Sequence, residues 1–492
     1  MPRSGSQFLQ SLDDGRAIYI DGGRVSKVVD HPAFGGAARS IADLYDMQGA
    51  PENLERMTFA SPKTGDRVSR MWQLPTTYEE LVARREALTA WAETHFGYMG
   101  RSPDHVASTL AGFYMGSAIY EDHGAERAKA VRDYYEYARD RDLYLSYVII
   151  DPQGDRSKSR GEGGNAELTV SVCDEDAEGL TLRGAKMLGT GAVLSDEILV
   201  STLRPMKDGE EKWAFTAVLP MNAPGLKILS RRSYEAAANS EFDYPLSARF
   251  DENDALIFFD DVRVPWDRVF VNGDIPTQFA QWHSTPAHSY QNYQAEIRLM
   301  VKLRFLVGLA RRITETTASI SFPQVVEKLG ELSSQLQIIE AFVLAMEVKG
   351  WRFGDYYLPD RELLYASQVH SQALYPKIVQ TLRDLAGGGM IMLPSSVEDF
   401  ADPEVAALIG RSQYSPTVDS IGRVKLFKLA WDAVGSEFGS RHTQYEMFYS
   451  GPKVVTTGMA FRTFDWDRAT GLVDRCLEGF DLPDGSPATA AE

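Results

Sequence analysis

Asp151-Pro152-Gln153-Gly154-Asp155-Arg156-Ser157 stands where the chain changes from helical to strand periodicity. The apolar run over residues 143–150 leads into it and ends a long helical region. Pro152 fixes its own φ and biases Asp151 toward an extended conformation, and Gly154 frees the next backbone position. Asp155, Arg156 and Ser157 then place a carboxylate, a guanidinium and a hydroxyl within three residues. Such a polar elbow on an apolar wall is either an ordinary helix-to-sheet loop or a ligand contact. The flanking chain decides between them.

Before the elbow the pattern is mainly helical. Ala17 to Ile20 and Arg24 to Val29 flank Asp21-Gly22-Gly23, a hairpin signal. Residues 78–95 read as a charged amphipathic helix that Thr76-Thr77 and Glu79-Glu80 cap and charge at its start. After the elbow, from about 148 to 270, apolar residues alternate. Residues 168–172, 180–188, 197–202, 213–219, 255–259 and 268–270 read as strands, whose short regular spacing predicts a compact barrel or sandwich. Helical spacing returns after Pro276, over 294–319, 322–353, 361–385 and 421–449, and four long helices with short connections predict a bundle.

This reading divides the chain into a mainly helical part (1–147), a β-barrel (148–275), a helical bundle (276–475) and a polar tail (476–492). At 492 residues the chain is long enough for two or three such units. With 44% hydrophobic and 24% charged residues it is an ordinary globular composition. A net charge of −18 argues against nucleic acid and anionic membrane as main partners. Two cysteines, Cys173 and Cys476, exclude a disulfide framework and any cluster that needs three or four thiolates, and fit a reducing cytoplasm. No run approaches the roughly 20 apolar residues of a membrane span, and no His/Cys/Asp spacing indicates a catalytic metal.

The order helices, β-domain, four-helix bundle is the layout of the acyl-CoA dehydrogenase fold, an α+β architecture in which flavin sits between the middle domain and the helical parts. Five stretches add a closer resemblance: residues 100–104 (GRSPD), 151–157 (DPQGDRS), 183–192 (RGAKMLGTGA), 259–266 (FDDVRVPW) and 439–451 (GSRHTQYEMFYSG). In order and together they resemble the oxygenase component of the 4-hydroxyphenylacetate 3-monooxygenase family, the two-component hydroxylases of phenols. The resemblance implies an oxidoreductase, a monooxygenase that takes reduced flavin (FADH2) from a separate NAD(P)H-dependent flavin reductase. It implies O2 as co-substrate, ring hydroxylation ortho to an existing hydroxyl, a homotetramer and a cytoplasmic location.

The same resemblance assigns residues. Arg101 is implied to touch both flavin and substrate, and a guanidinium suits a phenolate or carboxylate. Gln153, Gly154, Asp155 and Arg156 match the flavin-contact loop, Thr190 a flavin-binding hydroxyl, and Tyr449, Ser450 and Gly451 small polar groups beside the cofactor. Arg441 is a second anion contact or a bundle salt bridge, and Tyr293 a substrate contact. His105 and Tyr147 depart from the pattern, because the hydroxyphenylacetate enzymes carry tyrosine and histidine at these places. The swap keeps one imidazole and one phenol and makes His105 the natural proton acceptor. It points to a substrate other than 4-hydroxyphenylacetate, such as a bulkier natural-product intermediate. Arg101, His105 and Tyr147 are therefore the expected catalytic and substrate-binding group.

His288, Tyr290 and Asn292 lie beside Tyr293 as further candidates. Gly387-Gly388-Gly389 reads as a phosphate-cradling loop or a helix C-cap. The residues leave a second function open, an acyl-CoA dehydrogenase-like flavin enzyme on a thioester, with Glu340 or Glu347 as its carboxylate. A non-catalytic carrier of reduced flavin is a third. An iron–sulfur dehydratase of the same family would need ligands that two distant cysteines do not supply.

Overall fold

The computed structural model describes residues 2–480 apart from 156, 159, 161 and 162. Arg156 and the tail from 481 onward therefore lie outside the described residues. The first helix, Gly5–Ser11, starts at a capping box in which Ser4 accepts from Gln7 N and the Gln7 side chain accepts from Ser4 N. The hairpin follows as Ala17–Ile20 and Gly23–Arg24, with Asp21 and Gly22 both at positive φ, as a two-residue I′ turn requires. Thr77 accepts from Glu80 N and starts the helix Tyr78–Thr94. The helices Asp104–Met115 and Ala125–Asp140 complete the helical part before the elbow.

Apart from two small two-stranded pairs, the described strands form two sheets. The six-stranded sheet runs Gly23–Arg24, Ala17–Ile20, Leu226–Ser230, Ala255–Pro265, Gly179–Lys186, Ser171–Glu175. The four-stranded sheet runs Val269–Asn272, Phe215–Pro220, Glu197–Val200, Leu145–Val148. Neither sheet closes, so the expected β-barrel is not formed. The outer strands show why. Gly23–Arg24 is two exposed residues, and Ser171–Glu175 ends on exposed Asp174 and Glu175, so neither offers an apolar edge for closure. The hairpin belongs to the larger sheet because Ala17–Ile20 pairs in parallel with Leu226–Ser230. The run before the elbow is itself a strand, Leu145–Val148, paired in parallel with Glu197–Val200.

Three long helices follow, Ala287–Thr316, Pro323–Val348 and Arg361–Ala386. The second stops at Val348, and Trp351–Phe353 turns into a small hairpin with Tyr356–Leu358. The expected fourth helix over 421–449 is two helices, Ser420–Val434 and Glu437–Phe448. Ser436 breaks it: its hydroxyl accepts from Gly439 N at 3.1 Å to cap the second helix and donates to Asp432 O at 2.9 Å. Gly387 ends the third long helix at φ 55, its N–H bonded to Arg383 O, which is the C-cap role of the glycine triplet. Lys453–Thr463 and Trp466–Leu477 end the described chain. No described helix is long and apolar enough to cross a membrane.

The helices Asp104–Met115 and Ala287–Thr316 pack face to face. A Cβ on Gly112 would lie 2.2 Å from Ala287 Cα, so only glycine permits this approach. The site described next is built across that contact.

Candidate active site

Arg101 precedes the Asp104–Met115 helix, and Ser102 fixes the helix start by donating to Asp104 Oδ1 at 2.5 Å. Arg101 lies outside the helix, on the turn that leads into it, and its side chain folds back onto His105 in the first turn. The Arg101 guanidinium donates to His105 Nε2. It also lies 5.0 Å from the Tyr147 ring and 4.3 Å from the Tyr449 ring. Among the described residues no carboxylate pairs with this guanidinium. Burial would weaken the cation, but Tyr147, Tyr445, Tyr449 and Glu252 outweigh it and the Arg101 pKa is raised.

His105 is fully buried. Burial, then the Arg101 charge, push its pKa well below the usual imidazole value, so the ring is neutral. Its ring centroid lies 5.2 Å from that of Tyr147, which reaches in from Leu145–Val148. Tyr449 comes from the end of Glu437–Phe448 and places its hydroxyl 2.8 Å from His105 Nδ1. Beneath them Tyr445 packs against Gly100, where a Cβ would meet the Tyr445 hydroxyl at 2.2 Å. That hydroxyl is buried with no hydrogen-bond partner among the described residues.

Two buried ion networks brace this cluster. Glu252 accepts from Arg101 N at 2.5 Å and from Arg441 at 3.1 Å. Arg441 also donates to both oxygens of Asp254, at 2.7 and 3.1 Å. Thr190 donates to Asp254 at 2.6 Å, and Arg231 at 2.8 Å. Burial would raise the Asp254 pKa, but Arg441 and Arg231 hold it far below the carboxylate range. Behind the tyrosines, Arg298 and Lys302 share Glu446, and Lys302 lies 3.0 Å from His442 Nδ1. Burial opposes both charges: it lowers Lys302 to about 8, while the two cations hold Glu446 at about 2.

The structure thus brings Arg101, His105, Tyr147 and Tyr449 together. Arg441 and Thr190 meet at Asp254, one bond away through Glu252. Ser450 donates to Asn292 at 3.4 Å, and Gly451 O accepts from Gln372 at 2.7 Å, so both are tied to neighbouring helices. Gln153, Gly154 and Asp155 form an exposed loop rooted on Asp151, whose carboxylate is held by Lys186 at 2.6 Å and Arg160 at 2.7 Å. Asp155 accepts from Ser157 N at 3.0 Å. Tyr293 belongs to another cluster, where its hydroxyl and Arg85 both bond Glu347. His288 Nδ1 lies 3.1 Å from the Tyr365 hydroxyl, and Tyr290 donates to Gln73 O at 2.8 Å. Glu340 pairs with Arg304 and Glu347 with Arg85, so neither carboxylate required by the thioester reading joins the Arg101 cluster.

Sequence reading missed Glu252, Asp254, Tyr445, Gln291 and Gln294. Gln291 donates to the Tyr147 hydroxyl at 3.2 Å, and Gln294 Oε1 lies 3.3 Å from His105 Nδ1. The available signal was polarity out of place. Residues 289–302 are buried along the whole run, yet include Gln291, Asn292, Gln294, Glu296, Arg298 and Lys302.

Family models for the 4-hydroxyphenylacetate 3-hydroxylase N-terminal and C-terminal parts match residues 4–271 and 279–478. The chain belongs to the 4-hydroxyphenylacetate 3-hydroxylase family. It is a flavin-dependent aromatic monooxygenase. It is 33% identical to the 4-hydroxyphenylacetate 3-monooxygenase oxygenase component of Geobacillus sp. (strain PA-9), over 93% of each chain. A Streptomyces globisporus relative is 34% identical over 92% of this chain and 85% of its own length. That protein is named a monooxygenase of a (3S)-3-amino-3-(3-chloro-4-hydroxyphenyl)propanoyl group on a peptidyl-carrier protein. The crystal structure of a 4-hydroxyphenylacetate 3-monooxygenase oxygenase component complexed with FAD and 4-hydroxyphenylacetate superposes with a TM-score of 0.91 at 30% identity, covering 97% of this chain and 100% of that one.

Proposed function

We propose that this family member is the oxygenase component of a two-component system that hydroxylates a phenol, or a hydroxylated heteroaromatic, ortho to its hydroxyl. The observation that carries the reading is the part-buried Arg101 guanidinium, which among the described residues pairs with no carboxylate and shares one space with the His105 imidazole and the Tyr147 phenol. A cation partly withdrawn from water and without an acid partner is costly, and an anionic or phenolic group satisfies it. The same arrangement, with the Tyr445 hydroxyl buried beside it, fits the polar edge of FAD in reduced form, which supplies the oxygen-activating chemistry when bound. Arg101, Gln153, Gly154, Asp155, Arg156, Thr190, Tyr449, Ser450 and Gly451 are the residues proposed to hold it. Arg101 orients the ring hydroxyl, His105 accepts its proton, and Tyr147 closes the wall. Tyr293 and Arg441 drop out of the substrate set, because their side chains are bonded to Glu347 and to Glu252 and Asp254.

The parts 1–147, 148–275 and 276–475 supply the substrate end, the flavin loop and the closing tyrosine respectively. A separate flavin reductase provides the reduced cofactor, and the two exposed, unpaired cysteines suit a reducing cytoplasm. A homotetramer is the proposed assembly. Val454, Phe461, Leu472 and Val473 are 57–76% exposed on the last two helices, an apolar face that a second copy would cover. Light scattering that finds only monomers at micromolar concentration would count against it.

The test of function is a panel of phenols with reduced FAD, O2 and a generic flavin reductase, read by product mass. The panel contains 4-hydroxyphenylacetate, 4-nitrophenol and a 3-chloro-4-hydroxyphenyl amino acid, the last both free and as a pantetheine thioester. A product one oxygen heavier supports the reading. Oxygen consumed with no panel member converted, or flavin reduced directly by a thioester, sinks it.

A further inference from the structure

Resting on the reading that Gln153 to Asp155 hold the flavin, we propose that Lys186 gives the root of that loop a surplus positive charge, so that the protein favours reduced, anionic FAD over the oxidised form. Three groups meet at the root. Lys186 Nζ donates to Asp151 Oδ1 at 2.6 Å. Arg160 donates to Asp151 Oδ2 through Nη2 at 2.7 Å and through Nε at 3.1 Å. Lys186 is fully buried and Arg160 is 4% exposed. Among the described residues no other carboxylate pairs with either cation. The cluster is two cations on one carboxylate.

One cation is enough to balance Asp151. Burial would raise the Asp151 pKa, but Lys186 and Arg160 together outweigh it and hold the carboxylate below its usual range. The second cation is costly, because a charge withdrawn from water needs an opposite charge of its own. Lys186 shows that cost. Burial lowers its pKa, Asp151 offsets part of this, and Arg160 adds to the lowering. The other bond of Lys186, to Thr202 Oγ1 at 3.1 Å, is to a neutral group and returns no charge. Arg160 Nη1 is buried with no hydrogen-bond partner, so the excess is not met on that side either. An anion held by the loop offsets it.

FAD changes charge at its ring on reduction. The oxidised isoalloxazine is neutral, and in mildly alkaline buffer the two-electron reduced ring is an anion. The phosphates are the same in both forms. A surplus cation at the loop therefore acts on the difference between the two forms, while contacts to phosphate and ribose cancel. Lys186→Met leaves Asp151 paired with Arg160, one charge against one, so the surplus can be removed without unpairing the carboxylate.

Anaerobic titration of the full chain with reduced and with oxidised FAD, in mildly alkaline buffer, gives two dissociation constants and their ratio without turnover. The parent should bind reduced FAD more tightly. Lys186→Met should cut that preference about tenfold, the effect of one partly screened unit charge. For a two-electron couple a tenfold change is about 30 mV, so the potential of bound FAD should fall by that amount, which equilibration with a redox dye reads independently. Arg160→Met balances the charge from the other side and should do the same. Thr202→Val removes the neutral bond to Lys186 at constant charge and should keep the parent ratio. A parent ratio in Lys186→Met or in Arg160→Met overturns the proposal, even where both constants rise, because a loosened loop weakens both forms alike. A loss of preference in Thr202→Val as large as in Lys186→Met overturns it too. A parent that binds neither form of FAD sinks the proposed function and this inference with it. A parent that binds both forms equally, or a preference that Lys186→Met leaves in place, sinks the inference alone.

Discussion

The Tyr449 hydroxyl lies 2.8 Å from Nδ1 of His105, joining the end of a C-terminal helix to the first turn of the Asp104–Met115 helix. With Arg101 on Nε2, both nitrogens are engaged and the ring is held in one orientation. Its pKa, pushed well down by burial and by Arg101, keeps it in the accepting form across neutral pH. A weak base in a fixed position does not need to be strong. It needs to be neutral and aimed when the ring hydroxyl loses its proton.

His105→Ala should therefore lower product formation by about 10²-fold, while reduced flavin is still consumed by oxygen and peroxide is released instead. Single-turnover measurement of product against peroxide separates the two. Product at the parent rate would remove His105 from the reaction.

Arg441 was expected to contact substrate or form a bundle salt bridge, and the structure commits it to Glu252 and Asp254 on the turn before Ala255–Pro265. Arg441→Met leaves the buried Glu252 and the part-buried Asp254 short of a partner, with Arg231 and Thr190 remaining on Asp254. The expected loss is about 3 kcal/mol of stability, together with weaker binding of reduced flavin because Glu252 also holds Arg101 N. Thermal unfolding and a flavin titration would read both. Parent values in both would mean the brace carries nothing.

Ser436→Ala should cost about 1 kcal/mol, since the hydroxyl both caps Glu437–Phe448 and bonds Asp432. Denaturant unfolding checks this. A melting curve identical to the parent would mean the break is held by packing around Gly435 alone.

The sequence was most legible where its signal was local. Asp21-Gly22 encodes its own turn, Thr77 its own cap, and the alternating runs most of their strands. The open sheets were not legible, because closure depends on partners far along the chain. Nothing near residues 17–20 announces a parallel pairing with residues 226–230. The helix over 421–449 was read through Gly435-Ser436 because its apolar spacing continues across a capping serine. In the site, Arg101 and His105 were legible from the family resemblance, Arg101 as a match and His105 as a departure, although the helix that carries His105 begins only at Asp104. The glutamines were not, because a polar residue on a helix reads as solvent-facing until the helix is known to be buried.

Acid stability is set partly by His95, beneath the same cluster. It is 2% exposed, accepts from Met99 N through Nδ1 at 3.1 Å, and packs against Phe250. Burial, then the charge of Arg298 with Lys302 behind it, lower its pKa to about 3. The folded value is below the unfolded one, so the unfolded chain binds the proton first. Stability from this residue is present above pH 6.5 and is lost as pH falls toward the folded value. The loss should reach about 2 kcal/mol by about pH 5, where the unfolded ring is protonated and the folded ring is not. His95→Asn keeps an acceptor near the position of Nδ1 and cannot titrate. It should flatten the fall in unfolding temperature between pH 6.5 and 5, whatever its cost at pH 7. If the variant and the parent lose stability in parallel over that range, His95 is not the group that senses acid.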